Sequence, residues 1–245
     1  SGPVRQLGNA TLEALAGSRF TVSGTVSTLG SGLLTAEGPG EVSLAGPVNL
    51  GLDSVAVLSG TLRLASAASI ADLEVRSGAV LAGDGGTSGQ VRVLAGGRIE
   101  PGHGLVPSAY GVFEAGSLAL AIGSVTSFAI GGTSPGVTFD RAAVSGAVAL
   151  AGTLDLRQSE SFTPAIGDSF TVMTYASRTG VFGALTTNLP LPPTALWSAV
   201  YRATEVTARI GPSTGGPADA GPRSRRLGRP PPTPSRAATT PSLDR

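Results

Sequence analysis

The 245-residue chain contains no cysteine, which excludes disulfides, thiolate metal sites and thiol nucleophiles together. Histidine occurs once, at His103, inside a Pro-Gly-His-Gly turn. A lone turn histidine supports neither a Ser/His/Asp triad nor a zinc site. Lysine is absent, and all 17 basic residues are arginine, which we read as base-composition bias. Aromatics make up only 4%, too few to interleave with arginine as a base-stacking platform. No stretch approaches the ~18 apolar residues of a membrane span; the longest quasi-apolar run covers only residues 118–122. Net charge is +1, split between residues 1–210, with eleven arginines against fourteen acids, and residues 211–245, with six against two. Neither imbalance is large enough to argue nucleic-acid binding. These absences lead us to expect no nucleic-acid partner, no transmembrane segment, no metal and no cofactor.

What is present is rhythm. Gly60, Gly78, Gly96 and Gly116 stand at steps of 18, 18 and 20 residues, each between two short apolar alternations. Residues 54–64 read SVAVLSGTLRL, residues 72–82 DLEVRSGAVLA and residues 90–100 QVRVLAGGRIE. Strict alternation is the period of a half-buried strand. Its return near every 20 residues predicts stacked units that bury their apolar edges on one another. Apolar residues reach 41% and are mostly Ala, Val and Leu, which suit a narrow interior. The 36 glycines supply tight turns. A β-sandwich is the main rival, because regularly spaced short strands fit that fold too.

Three regions follow. Residues 1–18 form an N-terminal cap or incomplete unit, with 9–15 as one helical turn or a polar cap. Residues 19–210 form the β-solenoid, with a closing hairpin unit from about 139. There, residues 162–175 read as a hairpin turned at Gly167-Asp168, and residues 181–185 and 195–210 supply the last strands. Residues 211–245 hold 8 of the 18 prolines and almost nothing large and apolar, which reads as a disordered tail.

Alignment on the glycines predicts which side chains become vertical neighbours. Val55, Leu73 and Val91 form one inward column, and Val57, Val75 and Val93 another. Glu74 and Arg92 face each other one strand spacing apart, about 4.8 Å. Glycosidases need paired acids roughly 5–9.5 Å apart, and Asp72 and Glu74 share one strand face about 7 Å apart. With Asp84 in the adjoining turn, this trio is the one candidate carboxylate cluster, weighed against its arginine partner and the Asp-Gly turn preference. Asp84-Gly85-Gly86 has the wrong order for a tandem calcium repeat. Residues 83–89 lack the Lys-Ser/Thr of a phosphate loop, and Asn9-Ala10-Thr11 is a chance-level glycosylation acceptor.

Residues 81–104, LAGDGGTSGQVRVLAGGRIEPGHG, resemble the β-helix repeat of bacterial autotransporter passengers and autotransporter-like surface proteins. Residues 139–185 are similar to the segment that closes such passengers, through Gly152-Thr153-Leu154, Gly167-Asp168-Ser169-Phe170 and Arg178-Thr179-Gly180-Val181-Phe182. Leu196-Trp197-Ser198-Ala199-Val200-Tyr201 fits the same closing unit. The resemblance implies a single-stranded right-handed parallel β-helix, export to the cell surface or medium, and a passive or adhesive role. Its implied partners are a host surface, matrix or glycan. A full autotransporter continues into a membrane barrel; this chain instead enters a Pro/Arg-rich segment, as expected of a fragment or of a secreted relative. The leading expectation is therefore a non-enzymatic extracellular β-helix, and the alternative is a polysaccharide lyase or hydrolase using Asp72, Glu74 and Asp84.

Overall fold

A computed structural model describes residues 4–6, 8–28, 32–50, 54–102 and 109–213. His103 and the basic segment 214–245 lie outside the described residues, as do residues 1–3. Among the described residues there are 24 strands and no helix, and none is long and apolar enough to cross a membrane as a helix.

The strands come in threes. The first unit holds β1 (Val4–Gln6), β2 (Ala10–Glu13) and β3 (Arg19–Val22). The second holds β4 (Val26–Thr28), β5 (Leu33–Glu37) and β6 (Glu41–Leu44), and the third β7 (Val48–Asn49), β8 (Ser54–Val57) and β9 (Gly60–Leu64). The fourth holds β10 (Ala67–Ser69), β11 (Asp72–Val75) and β12 (Ala79–Gly83). In the fifth and sixth units the first two strands fuse, giving β13 (Gly86–Val93) with β14 (Arg98–Pro101), then β15 (Val112–Leu120) with β16 (Val125–Ile130). The seventh holds β17 (Arg141–Val144), β18 (Ala147–Leu150) and β19 (Thr153–Gln158), and the eighth β20 (Ser169–Thr174), β21 (Ser177–Gly180) and β22 (Ala184–Thr187). A hairpin of β23 (Ala195–Tyr201) and β24 (Glu205–Pro212) follows.

Each strand pairs in parallel with its counterpart one unit on, so three ladders run through the units. The first contains β1, β4, β7, β10, the front of β13 and β15, then β17 and β20. The second contains β2, β5, β8, β11, the back of β13 and β15, then β18 and β21. The third runs from β3 to β22 as a separate 8-stranded sheet. The first two count as one 16-stranded sheet only because β13 and β15 pass straight through the corner between them.

Register is set by the alternation, since a one-residue slip would expose every core side chain. Leu73 stands between Val55 and Val91, and Val75 between Val57 and Val93. All six are 1% exposed or less. The columns extend to Leu34 and Ala36 below and to Leu118 and Leu120 above. The third ladder contributes Val42, Leu62, Leu81 and Ile99 in the same way. Burying each such side chain contributes roughly 1.5–3 kcal/mol.

Several sequence expectations are corrected. Residues 10–13 form β2, paired with β5, instead of a helical turn, because Ala10 and Leu12 alternate with Thr11 and Glu13. At the corner between the second and third ladders Gly60 (62°), Gly78 (80°) and Gly96 (79°) have positive φ, and the next such glycine at that corner is Gly123 (84°), whose carbonyl accepts from Gly96 N at 3.0 Å. Gly116 belongs to a different corner, opposite the register shift at residues 88–89 of β13. The segment between Gly96 and Gly123 is longer than its predecessors, and that extra chain displaced the count. Residues 162–168 form no strand, because Pro164 interrupts them; β20 instead pairs antiparallel with β24. Of residues 181–185, only Ala184 and Leu185 are in a strand, β22, while Val181 follows β21.

The interior changes character along the chain. Val and Leu fill the early units, while Phe113, Phe128, Phe139 and Phe170 are fully buried in the later ones. Phe170 packs edge-on to Phe139 (centroids 5.5 Å) and Phe162 (6.1 Å), and lies 5.6 Å from Trp197. Tyr175 Oη bonds to the Glu205 carbonyl at 2.8 Å and tethers β24 to the eighth unit.

Candidate functional site

Asp72 and Glu74 lie on the outward face of β11, where the register places Glu74 beside Arg92. The Arg92 Nη2 reaches Asp72 Oδ2 at 2.7 Å and Glu74 Oε2 at 3.5 Å. Arg76 Nε adds a 2.9 Å contact to Glu74 Oε1. Both carboxylates are thus tied to arginine. Asp84 is exposed in the turn between β12 and β13, against Gly111. That turn is the corner between third and first ladders, whereas Asp72 opens the second, so the three acids do not form one cluster. Asn9 Oδ1 accepts from Leu33 N at 3.0 Å, a bond joining two units. No three Asp, Glu or His side chains converge as a metal site among the described residues.

Two buried carboxylates were not legible in the sequence. Asp140 is 1% exposed. Its Oδ2 accepts from Ala129 N at 2.9 Å and its Oδ1 from Gly111 N at 3.1 Å. Burial pushes its carboxyl up to about 7, against the two amides that lower it, and the charge of Glu100 adds to the rise. Asp155 is 8% exposed. Its Oδ2 accepts from Arg157 Nε (2.7 Å), Ser127 Oγ (3.1 Å) and Arg98 Nη1 (3.3 Å), and its Oδ1 from Thr186 Oγ1 (2.8 Å). Burial alone would raise Asp155. The bonds from Thr186, Arg157 and Ser127, with the Arg157 charge, outweigh it and hold the group below the usual carboxylate range. Both residues are fully engaged in joining strands: Asp155 ties β14, β16, β19 and β22 across the third ladder.

One groove, of about 400 Å³, lies on the first ladder. The register stacks Ala67, Gly86, Glu114, Ala143 and Thr174 as successive outward residues of β10, β13, β15, β17 and β20. Small side chains on either side of Glu114 create the depression, with Gly116 and Ser145 along its rim. Glu114 is exposed and is the one charged residue lining it. The groove offers hydroxyls, backbone edges and one carboxylate. Among the described residues, no second acid or base lines it beside Glu114.

No family model matches the chain, and no curated protein matches it.

Proposed function

We propose that this protein is a non-enzymatic structural or adhesive right-handed parallel β-helix, comparable to an autotransporter passenger, on a bacterial surface or secreted from it. The observation that carries the reading is the repeated register, in which Val55, Leu73 and Val91 meet in line while polar residues of the same strands point outward. Such stacking favours a long, flat-sided body over a pocketed globule. The first-ladder groove around Glu114 is the contact face this reading assigns to a host surface, matrix component or glycan. Arginine pairing of Asp72 and Glu74, and the separate position of Asp84, weigh against the polysaccharide-degrading alternative.

The test is a binding and turnover assay on the full chain. Immobilised matrix proteins, glycans and host cells should retain the protein. Glu114→Arg should change that retention without altering the melting temperature. Release of unsaturated or shortened sugars from any polysaccharide, abolished by Asp72→Asn, would overturn the reading.

A further inference from the structure

We infer that the outward face of the closing antiparallel sheet is a second binding site, and that its ligand is a carboxylated polysaccharide seated on Arg209. This site is separate from the Glu114 groove. Its middle strand is β24, with β20 on one side and β23 on the other. Register places Arg209 directly between Ser169 of β20 and Ser198 of β23. The next outward row is Thr171, Thr207 and Val200, with the two threonine hydroxyls 3.2 Å apart. Arg202 and Glu205 pair at 3.0 Å at the far end. All of these residues but Ser198, together with Gly167, line a polar depression of about 310 Å³, within the size range of small-ligand sites. The reverse side of the same strands packs Phe170, Ala208, Ile210 and Trp197 into the core, so the floor is rigid.

The charge at this face is unbalanced in a way that is unusual for this protein. Arg19, Arg63, Arg76, Arg92, Arg98, Arg157 and Arg202 each lie within ion-pair distance of a carboxylate. Arg141 donates to Thr174, and Arg178 donates to carbonyls and covers Tyr201. The exposed Arg209 guanidinium has no acidic, hydroxyl, carbonyl or ring partner among the described residues. With Arg202 and Glu205 cancelling, the depression carries one net positive charge.

That arrangement selects its ligand by chemistry. A guanidinium fork matches a planar carboxylate with two parallel hydrogen bonds. Serine and threonine hydroxyls both donate and accept, as sugar hydroxyls do. A single cation suits one negative charge per sugar, and a phosphate-rich polymer would call for more. Val200 is the one apolar lining residue, so the face has no recess for the side-chain anchors of a peptide.

The test is calorimetric titration of the full chain with oligogalacturonate. Its fully methyl-esterified form, dextran sulfate and poly-glutamate serve as comparisons. Oligogalacturonate should bind, and esterification should abolish binding. Arg209→Gln should weaken it about tenfold or more, equivalent to about 1.4 kcal/mol, with an unchanged melting temperature. Arg209→Lys should fall between the two, and Arg19→Gln should bind as the unaltered protein does. Four results would each overturn the inference: no binding of oligogalacturonate, equal binding by Arg209→Gln, tighter binding of dextran sulfate, or tighter binding of poly-glutamate. Non-specific attraction to the six arginines of residues 211–245 would survive Arg209→Gln and so counts against it.

Discussion

Leu73→Ala is the sharpest perturbation of the stacked register. Leu73 has no exposed surface and lies between Val55 and Val91 in its column. Truncation removes its buried methyl groups and leaves a cavity facing two neighbouring units. Buried Leu→Ala changes cost about 2–5 kcal/mol, depending on how far the site collapses. Strands held by parallel ladders on both sides have little room to close in, so the upper half of that range is expected. The adjacent outward change Glu74→Ala removes only partly exposed ion pairs and should cost about 1 kcal/mol or less. Urea unfolding followed by circular dichroism measures both. Because Leu73 and Val91 touch, Leu73→Ala and Val91→Ala should be non-additive by about 0.5–3 kcal/mol. Leu73→Ala and Leu154→Ala, three units apart, should add. A Leu73→Ala cost below about 1 kcal/mol, or equal coupling in both pairs, would refute the column argument.

Asp140 supplies a pH test. Burial raises its folded-state value to about 7 from an ordinary 3.8, so the folded chain keeps a proton that the unfolded chain has released. Its contribution to stability is complete below the ordinary value and is lost as pH rises towards 7. The melting temperature should therefore rise as pH falls from 8 to 5, and Asp140→Asn should flatten that slope; an unchanged slope would contradict the assignment. Asp155 acts with the opposite sign, because its folded-state value is lowered, and its contribution is lost as pH falls below the ordinary carboxylate range. Asp155→Ala leaves Arg157 without its carboxylate and Arg98 with Glu100 alone, and should cost about 3 kcal/mol, read from denaturant midpoints. Gly78 has φ of 80° with open space around it, whereas Gly60 has φ of 62° and lies against the Gly38 and Gly40 carbonyls. Gly78→Ala should cost only the backbone term of about 1–2 kcal/mol, and Gly60→Ala clearly more; equal costs would contradict the close approach.

The strand rhythm was legible because alternation of period two determines both the strand and its buried face. Val55, Leu73, Val91 and their neighbours could be aligned by eye from the glycines. The Glu74–Arg92 contact followed from the same alignment. What failed was anything crossing an irregular step. Gly123 was missed because the longer sixth unit shifts the count, and Gly116 replaced it by coincidence of spacing. The partner of β20 was misplaced because Gly167-Asp168 looks like a hairpin turn, and only tertiary pairing brings β24 beside β20. Asp140 and Asp155 carry no local signal. Their burial arises from segments 11–57 residues away in sequence, which no window of the chain displays.

Parallel stacking also explains where charge is and is not compensated. Equivalent outward positions of successive units lie about 4.8 Å apart, within reach of an arginine side chain. An acid on such a column can therefore be reached by an arginine from the next unit, although Glu13 faces Glu37 and Glu114 stands between Gly86 and Ala143. Arg63 reaches Glu41 and Arg92 reaches Asp72 in this way, and Arg98 reaches Asp155 across two units. A free carboxylate pair for catalysis would have to escape that compensation, and Asp72 and Glu74 do not. The antiparallel hairpin breaks the rule. Where β24 turns back along β20, the neighbours of Arg209 are set by a reversed strand direction, and they are serines. The same departure from the repeat that closes the first ladder thus leaves Arg209 without an acidic partner among the described residues, on a hydroxyl-lined face. That is why the binding experiment belongs there as well as on the regular units.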